Sequence, residues 1–447
     1  MQIFRPSRKG LSRDSMANSE STAAWLGDTA KVSALPWCQN LQERGKNAFK
    51  KTGVPGKKTE GWQFSPIEKL QASARVPNVK GEGSKNLPSF GIPRRILLNG
   101  STLGAEVDAM PEGLSLALVT DVEHTLSGRI GDLAPLEHFS ALNTAMFNGA
   151  TALEANAGSR CALHLAHSFS ASESGIAYPR IAVRVGKHAE FTLVESFSWD
   201  ERAKGVLANS VVEIWLEEGA RFEHVRLLDA DDQVKSVSTV AVHQARDSFY
   251  GSRSVSLGGE LARTELRVSL AGPGAECELD GVYMSNTGEH VAQQLWVEHK
   301  APHCTSRQRY RGVLDGSGQA VFDGMAFVRP NAQKSEAHQE NRNLLLSDQA
   351  TINTKPHLEI EADDVACSHG ATVGALEPNQ RFYLQSRGIG AEEANAILTY
   401  SFLREILEKI SVDSAQMDAA NRVLARLPHG ASIANVVTES LPQGEGV

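Results

Sequence analysis

The chain has 447 residues, enough for a large core and more than one domain, with 22% charged residues and a formal net charge of −8. That balance excludes a protein built mainly around nucleic acid, which needs a clustered basic surface. No apolar run reaches the roughly 18 residues of a membrane span, so no membrane partner is expected either.

The opening stretch MQIFRPSRKGLSR is basic but lacks the apolar centre of a secretory signal. Residues 1–15 are read as a disordered leader, with Met16 as an alternative start. Helix-compatible stretches follow at AAWLGDTAKV and PWCQNLQERGKNAFKK. The basic run over 42–58 reads as a solvated helix end leading into a turn, because the glycines and prolines of GVPGKKTEGWQFSPI break any helix. A polar connector rich in glycine and proline spans 75–93.

From about 95 to 385 the pattern changes to period two. AEFTLVESFSW, SVVEIWLEEG, SVSTVAVHQA, ELRVSLAG and HVAQQLWVEH alternate apolar and polar residues and are rich in β-branched types, which predicts strands. No helix-length amphipathic segment stands out between them, which argues against a βαβ layout. GKHAEFTLVE (186–195), EEGARFEHVR (217–226) and GPGAECELDG (272–281) share a glycine before an Ala-x-[Phe/Cys] step into a strand, at irregular spacing. Short strands joined by glycine-rich corners suit a parallel β-helix better than a sandwich. After 385 the period becomes helical: Ala394, Ile397, Leu398, Phe402, Ile406 and Ile410 form an apolar stripe, and DAANRVLARLPHGA reads as a second helix ended by proline and glycine. The expected divisions are a helical region with linker over 1–94, a mainly β core over 95–385 and a helical region over 386–447.

Five cysteines, Cys38, Cys161, Cys277, Cys304 and Cys367, are odd in number and show no CxxC, which is not a disulfide framework. A reducing, cytoplasmic setting fits them. The chain has no phosphate loop, no G-x-S-x-G, no H-E-x-x-H and no dinucleotide fingerprint. HLAH at 164–167 places two histidines on opposite faces of a strand, a poor shared metal site. One pair is different: in DDVACSHGA, Cys367 and His369 are two apart and share a strand face. A metal site, a nucleophile with its base, and a packed thiol beside a hydrogen-bonded imidazole all remain open. Structural zinc needs four ligands, and iron–sulfur clusters are usually held by four. Cys304, beside His303, adds one only if the fold brings it close. A metal or cluster at Cys367 and His369 therefore calls for ligands from a partner.

The segment AHQENRNLLLSDQATINTKPHLEIEADDVACSHGATVGALEPNQRFYLQSRGI (337–389) closely resembles the SufB/SufD family of iron–sulfur cluster assembly proteins, its SufD branch in particular. HKAPHCTSRQRYRGVLDGSGQAVFDGMAFVRPNAQKSEAHQ (299–339) is similar to the preceding part of that family, and GVPGKKTEGWQFSPI resembles its G-x-P-x-x-K-x-E-x-W element. The resemblance implies a right-handed parallel β-helix between helical end regions. It implies pairing with the paralogue SufB through the β-helices, and docking of SufC, an ABC-type ATPase, on the C-terminal helices. The chain itself would then be a scaffold and no enzyme, with ATP hydrolysis left to SufC. The histidine of the C-S-H-G-A motif, here His369, would lie at the SufB interface and act with a SufB cysteine on a transient Fe–S cluster, with Cys367 beside it. No SufB-like cysteine arrangement is present, so sulfur acceptance falls to the paralogue. Two rival readings are a purely structural partner of SufB and SufC, and a homodimer in which two copies of Cys367 and His369 supply four ligands. A carbohydrate-active β-helix enzyme is a more distant rival, since such enzymes act outside the cell.

Overall fold

The computed structural model describes residues 22, 24–26, 36–71, 87–99, 102–104, 108–170, 175–200 and 205–434. The expected leader, much of AAWLGDTAKV and most of the connector lie outside these residues.

Two sheets form the body. One runs β2 (Thr102–Leu103), β1 (Arg94–Leu98), β5 (Arg160–Phe169), β8 (Glu190–Trp199), β10 (Arg221–Ala230), β12 (Phe249–Gly258), β14 (Glu276–Ser285), β16 (Thr305–Leu314), β18 (Ser335–Leu345), β20 (Val365–Gly374). The other runs β19 (Thr351–Ile360), β17 (Gln319–Val328), β15 (His290–His299), β13 (Leu261–Leu270), β11 (Lys235–Gln244), β9 (Leu207–Leu216), β7 (Arg180–Val185), β4 (Ala150–Ala155), β3 (Leu114–Val119), with β6 (Ile176–Ala177) against β9. From β7 onward the chain alternates between the sheets and nearly every strand is parallel to its neighbours two positions along the sequence. This is a parallel β-helix, the architecture that the period-two segments and their glycine corners predict.

Its repeat was visible but irregular. Arg221 pairs with Phe249, Phe249 with Glu276 and Glu276 with Thr305, so successive offsets are 28, 27 and 29 residues. The three similar segments of the sequence are the same corner on different turns. There Ala189, Ala220 and Ala275 are fully buried, and each carbonyl accepts the amide that opens the next rung, as in Arg221 N to Ala189 O at 2.8 Å. Even-numbered strands point their odd-numbered residues inward over β8 and β14: Phe191, Leu193, Cys277 and Leu279 belong to one continuous luminal core.

The outer faces are covered differently. On the second sheet lies an N-terminal layer made from α1 (Gln39–Thr52) and α2 (His138–Met146). Gly45 of α1 lies so close to α2 that a Cβ there would sit 2.6 Å from Ala145 N. The expectation that no helix interrupts the β core is corrected by α2. Its residues from Phe139 to Met146 are all buried, so it has no polar face and shows no amphipathic period. The G-x-P-x-x-K-x-E-x-W element is a clamp on this layer. Trp62 stacks under the Arg263 guanidinium, 3.8 Å from the ring centre, and Gly61, at φ +74°, leaves room for Gln294.

The first sheet is covered by α4 (Ala391–Leu407) and α5 (Asp413–Arg426). Val225, Val255, Val282 and Val313 pack against Leu403, Leu407 and Val423. Arg426 pins α5 to Asp229 and Glu289, both at 2.8 Å. The predicted stripe of α4 is displaced: Ala396, Thr399, Tyr400, Leu403 and Leu407 are buried with Ala394 and Ile406, while Ile397, Leu398 and Phe402 stay half-buried. The helix is held by a sheet on one side and α5 on another, so no single stripe describes it. A further helix, α3 (Pro378–Ser386), precedes them and buries none of its residues. Among the described residues no helix is long and apolar enough to cross a membrane.

Candidate functional site at the end of the β-helix

The last turn, β19 and β20, is where the layers stop. Both strands pair on one side only. In β18 the inward residues Ala337, Gln339, Asn341 and Asn343 are buried; their ladder partners Cys367, His369, Ala371 and Val373 are half-buried or exposed. Val373 is 48% exposed and Ile360, inward on β19, is 43% exposed, which is unusual for luminal positions of a packed solenoid. Among the described residues the lumen is therefore open at this end.

Cys367 and His369 stand side by side on this open luminal face, as their i, i+2 spacing predicts. Cys367 packs at the edge of a small cluster of Val328, Ala332 and Ala362. Burial pushes its thiol above the ordinary value, and a backbone hydrogen bond involving Ala337 opposes the shift. His369 is exposed and makes no hydrogen bond among the described residues. On the opposite face, Ser368 is bonded to His338 at 2.8 Å, which fixes the strand without using the site.

Cys304 does not join the pair. It is fully buried at the corner below β16, where its thiol lies 3.4 Å from Gly272 O, two rungs down from Cys367. Burial raises the thiol pKa of both Cys304 and Cys277. Among the described residues no group of three or more His, Cys, Asp or Glu is arranged to hold a metal ion. Cys367 and His369 can offer one thiolate and one imidazole, half of a tetrahedral set.

The two histidines of HLAH do face opposite sides. His164 points outward, its ring tilted against Phe90 with centroids 4.5 Å apart and bonded to Ser196 Oγ at 2.8 Å; His167 points into the lumen. There it meets a charged cluster that sequence reasoning missed. Glu195 receives His167 Nε2 on one oxygen at 2.7 Å, and His224 Nε2 at 2.7 Å with Arg226 Nε at 3.0 Å on the other. Burial alone would raise this carboxyl, but Arg226 and the two imidazole hydrogen bonds outweigh it and hold it well below the usual range. Sequence analysis also passed over Gln308 and Gln339. Both sit inward in successive rungs at nearly the same place, and aligning the turns at about thirty residues would have paired them.

The fold and site define a class: a parallel β-helix with an uncapped end turn that presents a thiol and an imidazole. Comparison with known proteins supplies the family. The model of the SUF system FeS cluster assembly SufBD core domain matches residues 167–402. The iron-sulfur cluster assembly protein SufD of Escherichia coli is 28% identical, over 85% of this chain and 91% of its own length. An iron-sulfur cluster assembly SufBD family protein of Synechocystis is 31% identical over 81% and 85%, and one of Mycobacterium leprae 28% over 85% and 91%. The chain belongs to the SufB/SufD family of iron–sulfur cluster assembly proteins.

Proposed function

We propose that this chain is the SufD-like subunit of a SufBCD complex, and that its end turn forms with SufB the place where nascent Fe–S clusters are built. The observation that carries this is the position of Cys367 and His369 on the inward face of an edge strand that nothing among the described residues covers. Half a ligand set at an open end is completed most simply by a second β-helix. The edge invites such a partner. β20 reads VACSHGATVG, ten residues with no charge and no proline, whereas edge strands that avoid pairing carry both. Its free backbone groups can extend the ladder into SufB by strand addition.

The cluster is cargo, held here only while it forms. A thiol raised by burial stays protonated until iron replaces its proton. An imidazole beside it is a weaker ligand for iron than thiolate and releases the cluster more readily. SufC is the proposed partner of the other exposed surface, where α3, packed against α4, presents Phe382 (71% exposed) and Tyr383 (57%) to solvent. ATP hydrolysis belongs to SufC and reaches the end turn through α3 and α4 and the strands they join. The chain acts as a scaffold in the cytoplasm, where its five thiols, none in a disulfide, stay reduced, and uses neither membrane nor nucleic acid.

Anaerobic reconstitution of the co-purified complex, wild type against His369→Ala, tests the reading through visible absorption and iron and sulfide content. Loss of cluster from an assembled complex is expected. Full cluster in the variant would leave this chain a structural partner only. Cluster formation by the chain alone would put a second copy in SufB's place.

A further inference from the structure

The lumen directly behind His369 is polar in a way the packing leaves unexplained. Reading down the ladder, His369 pairs with Gln339, Gln339 with Gln308, and Gln308 with Leu279, all facing inward. Gln339 and Gln308 are 4% and 1% exposed. In both, the amide oxygen and the amide nitrogen are buried without a hydrogen-bond partner. Buried amides are nearly always satisfied, by protein or by ordered water, so two amides without a protein partner on consecutive rungs mark a polar space beside His369. The space is shaped for them: a Cβ on Gly324, in the opposite sheet, would lie 3.3 Å from Gln308 Oε1, so the amide reaches across the lumen where the facing residue has no side chain.

We infer that Gln339 is a positioning residue for His369: through one bridging water its amide oxygen receives the inward ring N–H of the imidazole, and a second water between the Gln308 and Gln339 amides holds Gln339 in that orientation from the rung below. Neighbouring rungs of a parallel sheet are about 4.8 Å apart, which brings side chains on one face within that reach. The consequence is chemical. An imidazole with one nitrogen committed as a donor presents the lone pair of the other, here toward the open end of the lumen. Apart from the Cys367 thiol on the same strand face, the inward neighbours Ala337, Asn341, Thr354, Pro356 and Leu358 include no charged or titratable group that would compete for the ring. The purpose of this arrangement rests on the proposed role of His369 as a ligand; its geometry does not.

The test is nitrogen-15 NMR of the full chain with labelled histidine, without iron, sulfide or partner. His369 is assigned by its loss in His369→Ala. In the wild type one tautomer is expected to dominate. Gln339→Leu should lower the tautomer ratio roughly fivefold, the factor one typical net hydrogen bond supplies. Gln308→Leu should lower it less, and Gln339→Glu should restore the dominance. Should Gln339→Leu not fold, Gln339→Met carries the same expectation. An unchanged ratio in the folded Gln339 variant would overturn the inference, as would equal changes in both leucine variants. Because the readout needs no cluster, it stands or falls separately from the result of reconstitution with His369→Ala.

Discussion

His224 donates its Nε2–H to Glu195 at 2.7 Å within the lumen, and both side chains are fully buried. The carboxylate also takes His167 and Arg226, and Arg226 passes a further hydrogen bond to Ser238 Oγ across the lumen at 2.8 Å. The ionic cluster lies within one sheet, and the Arg226–Ser238 hydrogen bond is a link from it to the other, so the lumen is not held by apolar packing alone. Such a cluster costs desolvation to form, and breaking it on one side leaves a charge unpaired. Glu195→Leu is expected to destabilise the chain by about 3–5 kcal/mol. Glu195→Leu combined with Arg226→Met should recover most of that loss, since nothing charged is then stranded. Urea midpoints with an unchanged m value would check both, and an equal cost for the single and double variants would show that the pair itself stabilises the fold.

Stability should fall steeply with acid. Burial lowers His164 to about 3 and His290 and His299 to about 4, with Arg94 adding to the effect at His164. Each is neutral in the folded chain, while the unfolded chain binds a proton below about 6.5. Between those values the unfolded state holds more protons, so stability drops as pH falls and the loss is complete once the folded pKa is passed. Each histidine accounts for on the order of 3 kcal/mol over that window, and three together rival the total stability of an ordinary domain. Glu195, held low, adds its own loss below about pH 4.3. Urea titrations from pH 7 to 4.5 should show the midpoint falling continuously from about pH 6.5 downward, and a flat profile to pH 5 would contradict the buried neutral histidines.

The parts of this structure that sequence revealed are those with a strong local pattern. β9, β11, β13 and β15 were legible because β-branched residues recur along each, although β9 and β11 are buried on both faces and β13 and β15 alternate only over their second halves. α2 was not, because a helix buried all round has no polar face to mark it. The repeat was legible only in fragments, since corner lengths vary and the signal lies in one small buried residue per turn, such as Ala189, Ala220 and Ala275. The Cys367–His369 pair was legible because a spacing of two fixes a shared strand face. Glu195, His167 and His224 were not: charged residues at inward positions look like outward ones until their partners, about thirty residues away, are known.

The thiols should react in a fixed order. Cys277 and Cys304 are fully buried, and burial raises both thiol pKa values; Cys38 is pushed up to about 11. Cys367 and Cys161 are only half-buried, though burial raises them too. Since the thiolate is the reactive species, all five are expected to be slow at neutral pH. A neutral maleimide on the native chain should label Cys367 and Cys161 first, and Cys277 and Cys304 only on unfolding. Rapid labelling of Cys304 in the native chain would show that the corner opens and would revive it as a possible third ligand.

The uncapped turn makes a last prediction, about partner and not about chemistry. β20 is held by β18 alone, so half of its amides have no ladder partner, and hydrogen exchange over Val365–Gly374 should be fast in the isolated chain relative to β10 and β12, which are paired on both sides. Adding SufB should slow exchange across Val365–Gly374 and leave β10 and β12 as they were. A charge placed on this edge separates pairing from folding. Val373→Lys puts an ammonium at a position already 48% exposed, so the isolated chain should change by no more than about 0.5 kcal/mol. Pairing would bury that charge without a counter-ion, and affinity for the partner should fall at least about tenfold. If Val373→Lys pairs as tightly as wild type, the second chain does not seat on this strand, and Cys367 and His369 lose the neighbour that would complete their ligand set.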